Sequence, residues 1–397
     1  MLKMTGGPGV PTVKVSLRGA TRLRDGHVWV YRSDIVSSDG VPPGSLVAVV
    51  DQRGKFLGSA LYSSSSQIAV RLISCEPVAD FPALLRQRIT EATAYREPMV
   101  RDTNAYRAIF SEADFLPGLI VDRYNDILSA QILTQAMDAE IVRSTLISEL
   151  TEKLHPTSIV ERVDPRVRQL EELPPRPSGL LIGQLSSTIF TMNAVKFSFD
   201  ALAGQKTGAF LDQRENYAAA AQYARGEALD AFCYQGGFAL HLAPRCSHVS
   251  GVDSSRPALE VADQNAALNH REIDWTEANA FDLLKDYSTT GRQYDTIVLD
   301  PPAFAKSKRE IDAAIRGYKE LNLRALKMLR PNGILVTCSC SYHVSQHDFL
   351  EMLATAARDA HRVLRLLEVR GQAKDHPILL NIPETAYLKC VIAYVSY

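Results

Sequence analysis

The second half of the chain is predicted to be an α/β domain built on a doubly wound parallel sheet. From about residue 184, strand-like apolar runs alternate with helical patterns, as in sheets with crossover helices. A glycine pair follows the first of these strands, an acidic residue ends the second, and Asp-Pro-Pro ends a later one. Ligands of such sheets bind at the carboxyl ends of the strands. We therefore expect a ligand site in this half.

The individual elements follow from the spacing of the apolar residues. In the second half, strands are predicted at 228–232, 249–253, 274–277, 294–300, 333–337 and 387–397, and helices from residue 237, at 257–269 and at 311–329. Short strands punctuated by turns from residue 12 to about residue 74 predict a small β-barrel. Helices at 81–97 and 139–155, with strands between and after them, predict a compact α+β unit.

The charge of the chain is unevenly distributed. Its 397 residues carry a net charge of −1, but residues 11–74 hold eight Lys or Arg against four Asp. A basic module that meets phosphate would have this bias, and so would a solvated basic face. The candidate RNA contacts in this segment are Arg18, Arg22, Arg24, Arg53 and Lys55, the last two on a predicted hairpin turn around Gly54.

The six cysteines form neither a CxxC pair nor a Cys/His pattern typical of a metal site. A chain of this length does not need disulfides, so free thiols in a reducing compartment are expected. The first residues lack the pattern of a signal peptide, and no run of eighteen apolar residues exists to span a membrane. We therefore expect a cytoplasmic protein that binds no metal.

The turn after the first strand of the sheet has features of a nucleoside site. It contains Asp230, Phe232, Gly236 and Gly237, and Asp253 ends the next strand some twenty residues later. Glycines allow close approach of a ligand, and a strand-ending acid can accept both ribose hydroxyls. The alternatives are a tightly packed turn and a helix-capping acid. The full GxGxxG fingerprint of dinucleotide sites is missing, which favours a nucleoside without a pyrophosphate, such as S-adenosylmethionine.

Two further segments extend this candidate site. Asn279 and Ala280 follow the predicted third strand, where adenine contacts would lie, although Asn279 could instead cap a loop. Asp300 ends a strand and precedes two prolines, which make a stiff loop. Such a loop can hold a planar base while Asp300 meets its amino group, or it can be a structural turn.

Two thiols follow the strand predicted at 333–337. Buried cysteines are usually inert, but Cys338 and Cys340 come after a strand end next to the strand that carries Asp300. A thiolate there can add to carbon 6 of a pyrimidine and make carbon 5 a nucleophile toward an activated methyl group. Cys340 lies farther out in the crevice and is the better candidate, with Cys338 as a packed neighbour.

The motifs together resemble those of the bacterial 23S rRNA cytosine-5 methyltransferases of the RlmI-like family. The resemblance covers nearly the whole length, and it is carried by residues 17–18 and 29–31, 115–122, 205–216, 234–238, 300–302 and 339–341. It implies a PUA domain at 1–76, an EEHEE domain at 77–180 and a Rossmann-like class I S-adenosylmethionine-dependent methyltransferase domain at 181–397.

The resemblance also implies roles for particular residues. Phe210, Gln213 and Arg214 would contact the cofactor, and Lys206 with the latter two could donate to its methionine carboxylate. The PUA domain would bind structured ribosomal RNA. Ala303 stands where eukaryotic nucleolar relatives carry a second cysteine, so another base would remove the carbon 5 proton. A homodimer is compatible with the family.

Three other functions stay open at this point. Asp-Pro-Pro is also common in enzymes that methylate a guanine or adenine nitrogen, and these need no thiol. A non-catalytic RNA-binding factor for ribosome assembly would keep the fold without the chemistry. An NAD-dependent oxidoreductase is disfavoured by the missing third glycine.

Overall fold

The computed structural model describes residues 10–202, 209–305 and 307–397. Within these residues the chain divides into two compact units. Unit 1 comprises residues 10–188, 199–202 and 374–385, and unit 2 comprises residues 189–198, 209–373 and 386–397, apart from residue 306.

Unit 1 begins with a six-stranded sheet and one short helix. The sheet order is β2-β6-β5-β4-β1-β3, with β1 parallel to β4 and antiparallel to β3. The elements are β1 Thr12–Val15, α1 Leu17–Arg24, β2 Trp29–Tyr31, β3 Ile35–Ser37, β4 Leu46–Val50, β5 Phe56–Tyr62 and β6 Ile68–Ser74. The turn predicted around Gly54 is confirmed, because it connects the antiparallel strands β4 and β5.

Helix α1 was not predicted. The alternating pattern of residues 13–17 indicated a strand, but the strand ends at Val15 and a helix begins at Leu17. Ser16 caps this helix by accepting from the N–H of Gly19, which satisfies one of the N–H groups left free at a helix start. Ala20 and Leu23 are buried, so α1 turns its opposite, arginine-bearing face outward.

The second sheet of unit 1 has five strands in the order β11-β10-β9-β8-β7. Its elements are α2 Phe81–Met99, β7 Ala105–Phe110, β8 Leu119–Tyr124, β9 Ile127–Ile132, α3 Glu140–Leu154, β10 Ser158–Glu161, α4 Pro165–Leu170 and β11 Gly179–Ile182. Leu85 and Ile89 of α2 and Leu146 and Leu150 of α3 are buried in one core with the sheet. The predicted α+β arrangement of this segment is therefore confirmed.

Arginine–carboxylate pairs are buried beside this core. Arg96 is 1% exposed and binds Asp114 with two hydrogen bonds of 2.5 and 2.8 Å. Arg107 binds the fully buried Asp122 in the same bidentate way. Bidentate geometry satisfies both partners at once, which is the condition for tolerating buried charge. These acids therefore have structural roles.

Unit 2 is built on a seven-stranded sheet in the order β16-β15-β14-β17-β18-β20-β19. A separate two-stranded sheet is formed by β12 Ser187–Met192 and β13 Val195–Asp200. The large sheet and its helices are α5 Arg214–Tyr223, β14 Glu227–Ala231, α6 Gly237–Leu242, β15 His248–Asp253, α7 Arg256–Leu268, β16 Asp274–Glu277, α8 Ala280–Thr289, β17 Tyr294–Leu299, α9 Ile311–Met328, β18 Leu329–Ser339, α10 Gln346–Asp359, β19 Val363–Arg370 and β20 Lys389–Ser396.

The predicted α/β class of unit 2 is confirmed, with one difference in the sheet. Strands β14 to β18 pair in parallel, but β20 lies antiparallel between β18 and β19. The order reverses at β14, which pairs with both β15 and β17, and a crevice opens at such a switch point. Strand β18 is also longer than predicted, since it begins at Leu329 and continues through Ser339.

Helix α9, predicted at 311–329, buries one face. Tyr318, Leu321 and Ala325 are fully buried against the sheet and α10, whereas Ile315 is only partly buried. Among the described residues, no helix is long and apolar enough to cross a membrane. No group of three or more His, Cys, Asp or Glu in the same part of the chain could hold a metal ion.

Replacing Arg96 tests how much its buried ion pair contributes to the free energy of unfolding. We expect Arg96→Met to lower the free energy of unfolding of unit 1 by about 3–5 kcal/mol, because it leaves the Asp114 charge buried without its partner. Urea unfolding followed by circular dichroism measures this. The exposed Lys153, which pairs with Glu152, provides the control, and Lys153→Met should leave the transition in place. An Arg96→Met variant as stable as the parent protein would contradict a structural role for the pair.

Candidate active site

The turn between β14 and α6 has an unusual backbone. Phe232, Tyr234 and Gly236 have φ angles of 68°, 49° and 84°, all in the left-handed region. Two of them are aromatic residues, for which this conformation is unfavourable. The surrounding contacts must therefore hold the turn, and the strained positions mark it as a functional candidate.

The glycine pair in this turn is required by close contacts. A Cβ atom on Gly237 would lie 2.5 Å from Oη of Tyr217, and one on Gly236 would lie 2.9 Å from the ring of Trp275. Side chains would collide with aromatic rings at both positions. Tight packing, the alternative raised by the sequence, thus accounts for the pair.

Asp253 stabilises the turn from the end of β15. Its carboxylate accepts hydrogen bonds of 2.9 Å from the N–H groups of Tyr234 and Ser255. The helix cap of α7 is Ser255, so Asp253 is not the capping residue that the alternative interpretation expected. Its acceptor capacity is partly used for the turn, and it is not among the residues that line the cavity described next.

A cavity that is partly open to solvent lies at the carboxyl ends of β14 and β17. Six of its thirteen lining residues are aromatic, and Asp230 and Asp300 are the carboxylates among them. Its lining residues are Met192, Phe197, Ala209, Phe210, Tyr217, Asp230, Phe232, Cys233, Tyr234, Gln235, Gly237, Phe238 and Asp300. The structure thus brings five of the predicted cofactor residues to one cavity: Phe210, Asp230, Phe232, Gly237 and Asp300.

Asp230 has an unsatisfied oxygen inside this cavity wall. The residue is fully buried, its Oδ2 accepts from the N–H of Ala239 at 2.8 Å, and its Oδ1 has no hydrogen-bond partner. Burial raises the pKa of Asp230 well above its usual range, and the negative charges of Asp300 and Asp253 raise it further. A buried acceptor without a partner is unusual in native proteins, and it favours a ligand that donates there.

Asp300 lies at the end of β17 and is held by Gln213. The amide Nε2 of Gln213 donates to Oδ1 of Asp300 at 3.0 Å. Burial, followed by the charge of Asp212, raises the pKa of Asp300 to about 7, against the lowering effect of the Gln213 hydrogen bond. Asp300 therefore changes charge near neutral pH.

The segment before α5 contributes some of its predicted residues and not others. Phe210 is 39% exposed and lies beside the ring of Tyr234, with 5.1 Å between the ring centroids. Gln213 reaches the site through Asp300, as described above. Arg214 is 1% exposed, lies 3.7 Å from the carboxylate of Glu215 and does not line the cavity. Lys206, with the rest of 205–208, lies outside the described residues.

Asn279 and Ala280 do not reach the cavity. Asn279 is exposed and caps α8 by accepting from the N–H of Phe281 at 2.9 Å. Ala280 is buried in the core beside Leu284. The capping role left open for Asn279 is therefore observed, and an adenine contact by either residue stays a prediction.

The two thiols differ in their surroundings. Cys338 lies within β18, fully buried and directly opposite Cys390 of β20, and burial raises its pKa well above the usual range. Cys340 follows the last residue of β18, is partly exposed, and has its Sγ 4.0 Å from the carbonyl oxygen of Pro301. Burial and then the charges of Asp300 and Asp212 raise its pKa to about 11. Of the two, Cys340 is the accessible thiol beside the Asp-Pro-Pro loop.

Sequence reasoning missed two residues next to Cys340. Ser341 is buried, and its Oγ accepts from the N–H groups of Phe304 and Ala305 at 3.0 and 3.1 Å. Lys389, at the start of β20, donates from Nζ to the carbonyl oxygen of Ser341 at 2.6 Å. Lysine in an otherwise apolar β-strand was the one available signal for this contact.

The predicted basic residues of unit 1 lie on α1 and the β4–β5 turn. Arg18 and Arg22 both pair with Asp34, and Arg24 pairs with Asp51. The same Asp51 accepts from the backbone N–H groups of Arg53 and Lys55, which are exposed. The end of α1 and the turn are therefore neighbours, but the three arginines are partly neutralised.

The cavity in unit 2 fits S-adenosylmethionine. This group presents an ammonium, a sulfonium and ribose hydroxyls, and the free oxygen of Asp230 can accept from such donors. The aromatic rings of Phe210, Phe232 and Tyr234 offer faces for the sulfonium and the adenine. Gly237 lines the cavity at the start of α6, whereas Gly236 does not.

Two family models match the chain. One, described as a PUA-like domain, matches residues 13–75. The other, described as S-adenosylmethionine-dependent methyltransferase, matches residues 174–388, more than half of the chain. The predicted cofactor and the predicted methyltransferase activity are therefore confirmed.

Solved structures share the fold. A protein described as a methyltransferase, complexed with S-adenosylhomocysteine, superposes with a TM-score of 0.82 at 18% identity, covering 96% of this chain and 99% of the other. A protein from Streptococcus mutans described as an S-adenosylmethionine-dependent methyltransferase gives a TM-score of 0.81 at the same identity and coverage.

Curated relatives are more similar in sequence. The ribosomal RNA large subunit methyltransferase I of Tolumonas auensis is 41% identical, over 92% of this chain and 94% of the relative. The enzyme of the same name from Vibrio cholerae is 39% identical, over 92% of this chain and 95% of the relative. The resemblance predicted from the sequence is confirmed, and the chain belongs to the ribosomal RNA large subunit methyltransferase I family of S-adenosylmethionine-dependent methyltransferases.

Proposed function

We propose that the chain methylates carbon 5 of a cytosine in 23S ribosomal RNA through a covalent bond to Cys340. The observation that carries this proposal is the position of Cys340, a partly exposed thiol just past the end of β18, 4.0 Å from the Pro301 carbonyl. The names of the curated relatives support a large-subunit ribosomal RNA substrate.

The chemistry starts at the thiol. Cys340 gives its proton to solvent, and the thiolate adds to carbon 6 of the cytosine, which makes carbon 5 nucleophilic. When bound, S-adenosylmethionine would supply the methyl group to carbon 5 and leave as S-adenosylhomocysteine. A base then takes the proton from carbon 5, the carbon–sulfur bond breaks, and the thiolate is released. A cytosine in folded RNA must first be turned out of its stack to reach this position.

Asp300 has two roles in this proposal. Its carboxyl lies at the strand end beside both the cavity and the Pro301–Pro302 loop, where it can accept from the amino group of the target cytosine. Its pKa of about 7 allows it to be protonated or charged near neutral pH. The protonated form removes a negative charge from beside Cys340 and so favours the thiolate.

The remaining parts of the proposal concern substrate and setting. The exposed Arg53 and Lys55, with Arg18, Arg22 and Arg24, would contact RNA phosphates and position the substrate without reading its sequence. The PUA, EEHEE and methyltransferase domains would comprise residues 1–76, 77–180 and 181–397. Ribosomal RNA as substrate favours a cytoplasmic enzyme, and a homodimer remains compatible with the family.

Bisulfite sequencing of ribosomal RNA tests the reaction and the nucleophile together. A strain without the gene should lose one 5-methylcytosine, and the wild-type chain and Cys338→Ala should restore it. Cys340→Ala should not, because the nucleophile is gone, and its rate on RNA in vitro should fall by more than about 10³-fold. Calorimetry should show that the Cys340→Ala variant still binds S-adenosylmethionine.

Rival functions give different outcomes in the same experiment. Full activity of Cys340→Ala would exclude the thiol mechanism and favour methylation of a base nitrogen. RNA containing 5-fluorocytosine should form a covalent adduct with the wild-type chain, because fluorine at carbon 5 cannot leave as a proton does. An unchanged methylation pattern in the deletion strain, with no cofactor binding, would favour a non-catalytic assembly factor.

Asp300→Asn should separate the effect of the Asp300 charge on the pKa of Cys340 from the contact of Asp300 with the cytosine. The substitution removes a negative charge beside Cys340, so the pKa of the thiol should fall and iodoacetamide should alkylate it roughly 3- to 10-fold faster at pH 8. Below about pH 6 the wild-type Asp300 is itself protonated, so the difference should vanish. Methylation should nevertheless decrease. Asp282→Asn, at an exposed acid of α8, is the matched control, and equal alkylation of Asp300→Asn and the parent at pH 8 would contradict the coupling.

Charge reversal at Arg53 and Lys55 tests the RNA surface. We expect the double variant to bind ribosomal RNA more weakly. The slope of its affinity against salt concentration should fall by the equivalent of roughly one to two phosphate contacts. Filter binding at several salt concentrations measures both quantities. Reversal of Arg271 and Lys285, which are exposed on unit 2, makes the same change in net charge. Equal losses in both double variants would indicate that only the total charge matters.

A further inference from the structure

Lys389 holds both sides of Cys340. Its backbone lies directly opposite Ser339 in the β18–β20 register, and its Nζ donates to the carbonyl oxygens of Ser341 and Tyr387 at 2.6 and 2.9 Å. The residue before Cys340 and the residue after it are thus both held by one lysine. The side chain is 7% exposed, so this arrangement is part of the interior.

The buried ammonium of Lys389 has no carboxylate partner among the described residues. Within that part of the chain Nζ forms no ion pair, and its hydrogen bonds go to two neutral carbonyl groups. Burial lowers the pKa of Lys389 to about 8, while the negative charge of the Cys340 thiolate raises it. Buried cations are normally matched by an anion, and the thiolate of Cys340 is the anion that can form there.

Ser341 connects this lysine to the loop that follows Asp300. Its Oγ accepts from the N–H groups of Phe304 and Ala305, and it lies 2.9 Å from Oη of Tyr318 on α9. Because Lys389 binds the carbonyl of the same residue, β20, α9 and the proline loop all meet at the cysteine segment. A displacement of Lys389 would therefore move Cys340 relative to Pro301.

The charged groups around Cys340 oppose one another. Asp300 and Asp212 raise its pKa, whereas Lys389 lowers it. Tyr318 also interacts with the thiolate, and the negative charge of Cys340 helps to raise the pKa of that phenol. Lys389 is the cation among these groups, and its Nζ lies 2.6 Å from the carbonyl oxygen of Ser341, the residue next to Cys340.

We propose that Lys389 is a positioning residue for Cys340, whose buried ammonium fixes residues 339–341 and stabilises the thiolate that attacks the pyrimidine. The catalytic role of this thiolate rests on the proposed function, in which Cys340 is the nucleophile. The pairing of ammonium and thiolate can be measured without any methylation. At neutral pH, below its pKa of about 8, Lys389 holds its proton, so the step requires no further reactant.

Alkylation of Cys340 by iodoacetamide, followed by peptide mass spectrometry between pH 7 and 10, tests the proposal. Without the ammonium, the thiolate is less favoured, so Lys389→Met should react roughly ten-fold more slowly at pH 7 to 8, where the parent lysine is still largely charged. Above its pKa of about 8 the parent lysine loses its proton, so the difference should shrink toward pH 10. Lys389→Arg keeps the charge and should stay within about three-fold of the parent. Lys319→Met, which removes the charge of a lysine paired with Asp359 on the surface, should change nothing.

A second substitution covers the case in which Lys389→Met does not fold. Lys389→Gln retains an amide N–H donor for the carbonyl groups but carries no charge, and it should show the same slow alkylation. Ser341→Ala provides a contrast, because it loosens the loop without removing a charge and should lower the melting temperature more than it shifts the pH profile. Parent-like alkylation of folded Lys389→Met or Lys389→Gln would overturn the proposal, as would slow alkylation of folded Lys389→Arg.

Methylation kinetics separate this inference from the proposed function. If Cys340 is the nucleophile, Lys389→Met should lower kcat about ten-fold with little change in the KM for S-adenosylmethionine, since the lysine does not line the cofactor cavity. If Cys340→Ala is fully active, the proposed function fails. The alkylation result for Lys389 would then still decide whether the ammonium stabilises the thiolate.

Discussion

The parallel register of β14, β17 and β18 determines where the chemical groups of unit 2 meet. Ala231 lies opposite Leu299, and Leu299 lies opposite Thr337. The residues that follow these three positions therefore emerge at one edge of the sheet, with the strained aromatic turn, Asp300 and the cysteine segment side by side. A slip of one residue in any pair would turn its side chains to the other face. The position of the site therefore depends first on the pairing of these strands and only then on individual side chains.

The residues that hold this edge are mostly not the ones that would react. Asp253 binds the backbone of the β14–α6 turn, Gln213 binds Asp300, and Ser341 binds the loop after Pro302. Each supplies a hydrogen bond that the irregular backbone or the buried carboxylate would otherwise lack. The supporting contacts allow a short aromatic turn to keep left-handed φ angles at two bulky residues.

The sequence predicted six strands of the large sheet of unit 2 and its helices α6, α7 and α9, because buried strands are apolar runs between glycine and proline signals. It gave no prediction for α5, α8, α10 or β19. It predicted the wrong start and end for β18, because Arg330 to Gly333 resemble a turn but are held in the sheet. Helix α1, with Ser16 as its cap, was missed because eight residues give too short a pattern. The predicted residues that line the cavity came from continuous motifs, whereas Ser341 and Lys389 could not be paired from the sequence. Their contact joins positions 48 residues apart, and only the antiparallel insertion of β20 brings them together.

The electrostatics of the site suit a nucleophile that is inactive until the substrate is in place. With burial and two acids raising its pKa to about 11, Cys340 is almost entirely a thiol at neutral pH. Thiols react far more slowly than thiolates with oxidants and electrophiles. Asp300, with a pKa of about 7, can lose its charge when it is bound or protonated, and the buried ammonium of Lys389 then acts on Cys340 with less opposition. The balance between these fixed groups means that small changes in charge at the strand ends can control the thiolate population. That population, rather than the mere presence of a cysteine, would set the rate of attack on carbon 6.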